Sequence, residues 1–457
     1  MDDKKKNIIY IVIIVSLIII LCILWVLIIK NTNQGNNTTG NNNINSRNEK
    51  DFNNRSAGSN SSSSITYKSA KEITSDTTIN TGEYKSSSSD ENAISLSNKA
   101  NVSLTNITVS KTGDSDGGDD TSFYGINSAI IAKDGATVTI DNATITTDAV
   151  GANGVFSYGG SATTNNNSSD NTTINISNSK ITTTKNNSGG IMTTGGGITN
   201  AKNLTVTTSG QSSAAIRSDR GGGTVSVDGG TYTSKGVGSP AIYSTADITV
   251  KNATLVSTTS EGAIIEGKNS ITLENVKLTD THTKNVKSKT YKNIFIYQSM
   301  SGDAAEGEAT FTAKDSTITT NKGDTIYVSN TSALINLTNN KFINNDSTGY
   351  FLRIQKDSWG KEGSNGGNVT LNLTKQEVTG NIGVDEISSL VMNMNTSKFK
   401  GTIDAKEGTV KIKLDKSSTI TLTGDSYITS LENEDSTNSN INLNGHKLYI
   451  NGVLFTK

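Results

Sequence analysis

The chain contains few of the residues that build a wide globular core. Its 457 residues include 1 cysteine and 1 proline, and only 5% are aromatic and 32% hydrophobic. So few bulky apolar side chains argue against a large globular core or a long helical bundle. No cysteine follows Cys22, so the chain beyond it has no disulfide and must be held together by its fold alone.

The chain also lacks an excess of either charge. It has 41 basic and 42 acidic residues, for a formal net charge of −1. Such a balance gives no long-range field to attract DNA, RNA or an anionic membrane, and it argues against a nucleic-acid-binding protein. Ser, Thr, Asn and Gly are abundant instead, which is typical either of disorder or of a β-rich fold with many turns.

One long apolar run lies near the N-terminus, from Ile8 to Ile29. At about 1.5 Å per helical residue it is long enough to cross a hydrocarbon core of about 30 Å. Three lysines precede the run and only Lys30 follows it, so the positive-inside rule predicts a cytoplasmic N-terminus. A cleaved signal peptide is the alternative, but signal sequences usually have a shorter apolar region and a small-residue cleavage site.

These features predict four regions along the chain. Residues 1–6 are a cytoplasmic basic tip, and residues 7–30 are a transmembrane signal-anchor helix. Residues 31–64 are rich in Asn and Ser with almost no apolar residues, which predicts a disordered linker. Residues 65–457 form the extracellular domain, so the protein is expected at the cell membrane as a single-pass protein.

A short pattern recurs through the extracellular domain: two apolar residues at alternate positions, a turn-forming residue two places on, and a further apolar residue. VSLTNITV, VTIDNATI and ITVKNATL are clear copies. The second apolar residue of each copy serves as its anchor. The fourteen anchors are Ile79, Leu104, Ile140, Ile176, Val206, Val227, Val250, Leu273, Ala313, Leu337, Leu373, Met394, Leu414 and Leu443.

Alternating apolar residues indicate strands with one buried face, and the anchors are too closely spaced for propeller blades. The pattern predicts an all-β fold, a single-stranded parallel β-helix in which each turn stacks on the last. Parallel crossovers are overwhelmingly right-handed, so the coil is expected to be right-handed. The two ends of such a coil need caps. The candidates are Ser69–Ile73, as a short helical or irregular segment, and Leu443–Phe455.

Two further positions of each repeat support this interpretation. The residue two after the anchor is expected to form the bend between strands, because its types tolerate a left-handed backbone. These bend residues are Asn106, Asn142, Asn178, Asn252, Asn275, Asn339, Gly229, Gly445 and Asp315. Upstream of the anchors a small residue precedes an apolar one and marks another strand, as in Ala93-Ile94, Ala129-Ile130, Gly154-Val155, Gly190-Ile191, Ala215-Ile216, Ala241-Ile242 and Ala263-Ile264.

Five longer blocks resemble a known group of proteins. They are SFYGINSAI from Ser122, AAIRSDRGGG from Ala214, GSPAIYSTADI from Gly238, EGAIIEGKNS from Glu261 and IYQSMSGDAAEGE from Ile296. The chain from residue 66 to its end is similar to adhesin-like or carbohydrate-binding surface proteins of Firmicutes, which have a right-handed parallel β-helix of the pectin-lyase-like superfamily. The resemblance implies a surface location and a glycan or other surface polymer, of host or self, as the partner.

The same superfamily includes polysaccharide lyases and glycoside hydrolases, and an enzyme of that kind is the alternative. Its galacturonan hydrolases carry Gly-His-Gly and Arg-Ile-Lys segments with spaced aspartates, whereas this chain has Gly445-His446-Lys447 and Arg353-Ile354-Gln355. A discriminating feature would be three acidic residues stacked on neighbouring turns, and Asp219 and Glu266 come nearest to it. The histidines, His282 and His446, are interpreted as solvated loop residues rather than acid–base catalysts.

Candidate ligand-binding residues lie on the predicted outer face. Arg217, Asp219 and Arg220 form a dense charged group that could hold a sugar hydroxyl or carboxylate, or simply form a structural salt bridge. Alignment on the small–apolar pairs places one side chain per turn in an outward column. Its members are Arg217, Tyr243, Ile265, Tyr297, Tyr327 and Arg353. Exposed aromatic rings and guanidinium groups suit a glycan platform, and cross-strand stacking is the alternative.

One loop has the composition of a metal site. Asp114, Asp116, Asp119 and Asp120, in the sequence GDSDGGDD, place oxygen ligands at a spacing that resembles part of a calcium loop. A solvated acidic loop is the alternative. No other cofactor is predicted, and no catalytic residue is assigned.

Overall fold

The computed structural model describes residues 65–161, 169–288 and 290–456. Over this part of the chain no helix is long and apolar enough to cross a membrane. The predicted basic tip, transmembrane helix and linker lie outside the described residues. The fold is all-β, with 52% strand and 1% helix, and its one described α-helix, α1, spans Asp120–Phe123.

The first sheet contains one strand from each turn of the chain. Its thirteen described strands pair in parallel in chain order. They are Lys68–Ile73, Glu91–Leu96, Ile130–Ala132, Val155–Tyr158, Ile191–Thr194, Ile216–Ser218, Ile242–Ser244, Ala263–Glu266, Lys292–Tyr297, Asp324–Ser329, Leu352–Ile354, Ile382–Val384 and Ile403–Asp404.

The second sheet contains a leading and a trailing strand from most turns, separated by a bend. Each strand pairs with its counterpart about one repeat later, as Ile140 pairs with Ile176. Its 22 described strands are Thr77–Ile79, Gly82–Ser86, Asn101–Thr105, Ile107–Lys111, Thr137–Asp141, Thr144–Thr147, Thr173–Ser177, Lys180–Thr183, Gly197–Thr208, Gly223–Ser234, Asp247–Lys251, Thr254–Ser257, Ser270–Glu274, Lys277–Asp280, Glu308–Lys314, Thr317–Thr320, Thr331–Thr338, Lys341–Asn344, Gly367–Thr374, Ser389–Asn395, Thr409–Leu414 and Ser430–Asn433.

Two small sheets complete the C-terminal part. The third sheet consists of Glu377–Thr379, Lys398–Gly401, Thr419–Leu422 and Ile441–Asn442, and the fourth of Ser426–Ile428, Leu448–Ile450 and Val453–Leu454. The last two strands pair antiparallel, so the chain turns back on itself at this end. These long parallel sheets are consistent with the predicted β-helix, and the anchors fill its core: Leu104, Ile140 and Ile176 are all buried.

The bend prediction is confirmed by the backbone. Asn106, Asn142, Asn178, Asn252 and Asn275 all have positive φ angles between 49° and 54°. The side chains of neighbouring bends also bind one another. The Nδ2 of Asn142 donates to Oδ1 of Asn106 at 2.6 Å, and Asn275 donates to Asn252 in the same way at 2.8 Å. These amide contacts reinforce the register that the buried apolar residues set.

Three assignments from the sequence are wrong. Ala201, not Val206, pairs with the anchor Ile176. The apolar alternation around Val206 is equally regular, so the sequence pattern alone does not distinguish the two positions. Leu443 follows a strand of the third sheet instead of lying in the second, where Leu414 pairs with Asn433. The proposed irregular cap at Ser69–Ile73 lies within the first strand of the first sheet, paired with Glu91–Leu96.

Candidate functional site

The outer face of the first sheet carries a continuous column of large side chains, one per turn. Pairing places Arg217 beside Tyr243, and Tyr243 beside Ile264. The column continues through Phe295 and Tyr327 to Arg353. The predicted column is therefore correct at four of its six positions.

The two incorrect members lie one and two positions beyond the true column residues, Ile264 and Phe295. In the turn of Ile264 the small–apolar pair is Gly262-Ala263 rather than Ala263-Ile264, since Ile242 pairs with Ala263. Ile265 consequently faces the core, and Tyr297 pairs with Glu266 two positions beyond Phe295. Successive strand residues alternate between faces, so Tyr297 still lies on the outer face.

The aromatic part of this column is covered, so the prediction of an exposed platform is wrong. Tyr327 is 0% exposed and Tyr297 is 6% exposed. The ring of Trp359 lies 5.1 Å from the ring of Tyr297, and Lys287 Nζ lies 4.0 Å above Trp359. Loops that follow the strands thus form a second layer over the sheet, which the strand pattern does not indicate.

Arg217 and Asp219 form the structural salt bridge that the sequence left as an alternative. Arg217 Nη2 lies 2.7 Å from Asp219 Oδ2, and Arg217 Nη1 donates to the main-chain oxygen of Ser212 at 2.8 Å. Burial raises the pKa of Asp219 to about 6, against the lowering effect of Arg217 and with a further contribution from the negative charge of Asp303. Asp219 is therefore a buried carboxyl whose pKa is raised above its ordinary value in spite of its ion pair.

Arg220 and Asp303 form the accessible part of the same region. Their side chains are 34% and 26% exposed, and Arg220 Nη2 lies 2.8 Å from Asp303 Oδ1. The guanidinium carbon of Arg220 also lies 4.0 Å above the ring of Phe123. The ring of Phe123 and the carboxylate of Asp303 thus hold the guanidinium plane of Arg220 in place, while one side of the group faces solvent.

Glu266 is the centre of a buried hydroxyl network next to this ion pair. Its carboxylate accepts hydrogen bonds from the hydroxyls of Tyr243 and Ser299, and from Tyr297 Oη at 3.2 Å. Burial raises the pKa of Glu266, and the nearby charge of Asp303 raises it further. We refer to Arg217, Asp219, Arg220, Tyr243, Glu266, Tyr297, Ser299 and Asp303 as the outer cluster.

The outer cluster contains a third carboxylate that the sequence did not identify. Asp303 acts electrostatically on both Asp219 and Glu266, so three acids from within four successive turns lie in one region of the outer face. Asp303 belongs to the loop after the strand Lys292–Tyr297. Its segment, SMSGDAAEGE, has no periodicity that could have placed it beside the other two.

Arg353, at the far end of the column, has its guanidinium engaged by another side chain. Its Nε and Nη2 donate to the two carboxylate oxygens of Asp324 at 2.6 and 3.0 Å. Asp324 is buried, so this bidentate pair fixes Arg353 against the sheet. A ligand at Arg353, as the sequence predicts, would have to compete with Asp324 for the guanidinium group.

Two aspartates of the predicted calcium loop have structural roles. Asp114 Oδ1 accepts a hydrogen bond from the main-chain nitrogen of Val150 at 2.8 Å, and Asp120 begins helix α1. Within the described ranges, no group of three or more His, Cys, Asp or Glu side chains is placed to hold a metal ion. Calcium binding by Asp114, Asp116, Asp119 and Asp120 stays a prediction from spacing.

The interpretation of His282 as a solvated residue is wrong, because its side chain is fully buried. Its ring nitrogens lie 2.9 Å from the main-chain oxygen of Lys292 and 3.0 Å from that of Lys284. Glu261, Asp280 and Lys292 are buried around it. These four residues, the corner cluster, lie where the chain passes from the second sheet to the first.

No protein-family model, curated protein or solved structure matches the chain. The resemblance to adhesin-like β-helix proteins therefore stays an expectation from the sequence.

Proposed function

We propose that this protein is a membrane-anchored, adhesin-like surface protein that binds a glycan or another surface polymer of host or self. In this proposal the predicted anchor is residues 7–30, with the N-terminus inside, and residues 31–64 are the predicted linker. The domain beyond the linker is a right-handed parallel β-helix, because parallel crossovers strongly favour that hand.

The observation that supports binding is the partly exposed ion pair of Arg220 and Asp303 in the outer cluster. A guanidinium group donates in a plane, which suits sugar hydroxyls and carboxylates, and a carboxylate accepts from hydroxyls. Stacking on Phe123 fixes the plane of Arg220 before any ligand arrives. A fixed donor loses less conformational entropy on binding than a free one.

The second candidate function is a polysaccharide lyase or glycoside hydrolase, and the three neighbouring carboxylates favour it. Hydrolysis of a glycosidic bond commonly needs one protonated and one ionised carboxyl group. Asp219, with its pKa near 6, fits the acid. Binding is the better supported function because Glu266 is buried and its oxygens already accept several hydroxyl donors.

A glycan array with the intact chain in detergent, followed by a product assay on each hit, tests both functions. We expect retention of at least one class of glycan with no shortened or unsaturated product. Retention of a glycan together with a shortened or unsaturated product would favour the enzyme. Loss of that product in Asp219→Asn would place the chemistry in the outer cluster. An array without any hit would contradict the proposed function.

A further inference from the structure

The corner cluster surrounds the amine of a buried lysine. Lys292 is fully buried, and its Nζ donates to the main-chain oxygen of Thr290 at 3.0 Å. The rings of Phe295 and Tyr327 lie 4.2 and 5.3 Å from Nζ. A carboxylate oxygen, Glu261 Oε1, lies 3.8 Å from Nζ. The amine thus lies in van der Waals range of a carboxyl group inside a largely apolar cage.

Lys292 and Glu261 would form a poor buried ion pair, because their contact does not offset the lost hydration of two charges. A separation of 3.8 Å between Lys292 Nζ and Glu261 Oε1 is too long for a hydrogen bond. Burying both charges is costly unless close contact and hydrogen bonds offset the lost hydration. Glu261 Oε2 accepts one hydrogen bond, from Ser260 Oγ at 2.5 Å. Burial lowers the pKa of Lys292, which favours the neutral amine that is able to react.

The other two members of the cluster add proton-carrying capacity without neutralising Glu261. Burial lowers the pKa of His282 and so favours its neutral ring, whose single N–H faces a main-chain oxygen of Lys292 or Lys284. Asp280 is fully buried, and neither of its carboxyl oxygens has a hydrogen-bond partner of normal geometry. Burial and the charge of Glu261 raise the pKa of Asp280 to about 8, so it carries a proton at neutral pH.

The geometry points to an intramolecular amide bond between Lys292 Nζ and Glu261 Cδ, with Asp280 as the proton carrier. The nitrogen attacks the carboxyl carbon, the new C–N bond forms, and one C–O bond of Glu261 breaks. The departing oxygen leaves as water with two protons, one from the neutral amine and one from Asp280. Asp280 is left ionised and regains its proton from solvent, so atoms and charges balance without a co-reactant.

Such a bond would replace a buried amine and a buried carboxylate by one neutral amide. It would also tie Glu261, just before the strand Ala263–Glu266, to Lys292 at the start of the next strand of the first sheet. The loop that contains His282 would then be closed covalently. A chain with no cysteine after Cys22 would gain the constraint that a disulfide gives other exported proteins.

Mass spectrometry of the purified full chain tests this proposal. After protease digestion, we expect a branched peptide that joins the segments containing Glu261 and Lys292, lighter by one water molecule than the sum of the two. The branched peptide is the deciding signal, because N-terminal processing would also change the intact mass. Two linear peptides with no branched product would overturn the proposal.

Three variants make the test specific. Lys292→Met is expected to abolish the branched peptide, whereas Lys287→Met, an exposed lysine of the same loop, is expected to retain it. Asp280→Asn is expected to leave a large fraction of the chain without the bond. A complete bond in Asp280→Asn would overturn the role of Asp280, and a branched peptide that survives Lys292→Met would overturn the assignment of the nucleophile.

Discussion

Replacing Gly236 with alanine is expected to lower the free energy of unfolding by about 3 kcal/mol or more, the upper range for overpacking a tight site. A Cβ atom on Gly236 would lie 1.7 Å from the main-chain oxygen of Gly210. On Gly210 itself a Cβ would lie 1.8 Å from the main-chain oxygen of Lys185. Main-chain atoms cannot move aside as side chains do, so successive turns would have to separate.

This corner matters for the outer cluster as well as for stability. The Gly210 corner precedes the strand Ile216–Ser218, which carries Arg217, and the Gly236 corner precedes Ile242–Ser244, which carries Tyr243. Denaturant titration of Gly236→Ala beside the wild type measures the effect. Gly363→Asn is a matched control, because no atom lies within 4 Å of its Cβ position and asparagine tolerates its φ of +82°. Equal losses in the two variants would contradict the packing argument.

Asp280→Asn is expected to remove a pH dependence of stability that the wild type shows between pH 6.5 and 8. The pKa of Asp280 is about 8 when folded, against an ordinary value of 3.8. The unfolded chain therefore loses this proton first, and the stability that the protonated group contributes falls as the pH rises towards 8. The loss approaches 1.4 kcal/mol per pH unit at most.

Other groups of the corner cluster titrate in the opposite sense, so the effect of Asp280→Asn is measured as a difference between two proteins. Burial lowers the pKa of His282, which makes it favour the folded state more as the pH rises. Both proteins also carry Lys292→Met, so that neither contains the proposed amide bond, and the contribution of His282 largely cancels in the difference. We expect the gap in unfolding free energy to widen by about 1 kcal/mol per pH unit in favour of Asp280→Asn. Parallel pH profiles, as expected for the exposed Asp404→Asn control, would contradict the burial of a neutral carboxyl.

The repeat could be predicted from the sequence because its chemistry recurs in every turn. Asn106 and Asn142 occupy bends that need a left-handed backbone, and few residue types accept one. The predicted strand register is wrong at the turn where two small residues are adjacent. Gly262 and Ala263 both fit the narrow position, and only the strand pairing distinguishes them.

The outer cluster could be predicted only in part, because its remaining members come from loops. Alternation along a strand identified the outer face on which Arg217 and Tyr243 lie. It contains no information on what covers that face, so Tyr327 was expected to be exposed. Asp303 and Trp359 reach the face from loops of irregular length, whose positions depend on contacts across several turns.

The most direct test of the account is the affinity of the intact chain for a glycan that it binds, measured for the wild type, Arg220→Met and Lys202→Met. Lys202 is an exposed lysine on the second sheet, away from the outer cluster. A charged hydrogen bond contributes about 1.5–3 kcal/mol, so Arg220→Met is expected to weaken binding about tenfold or more. Lys202→Met is expected to bind as the wild type does. Equal affinity for all three proteins would contradict a glycan site at the outer cluster.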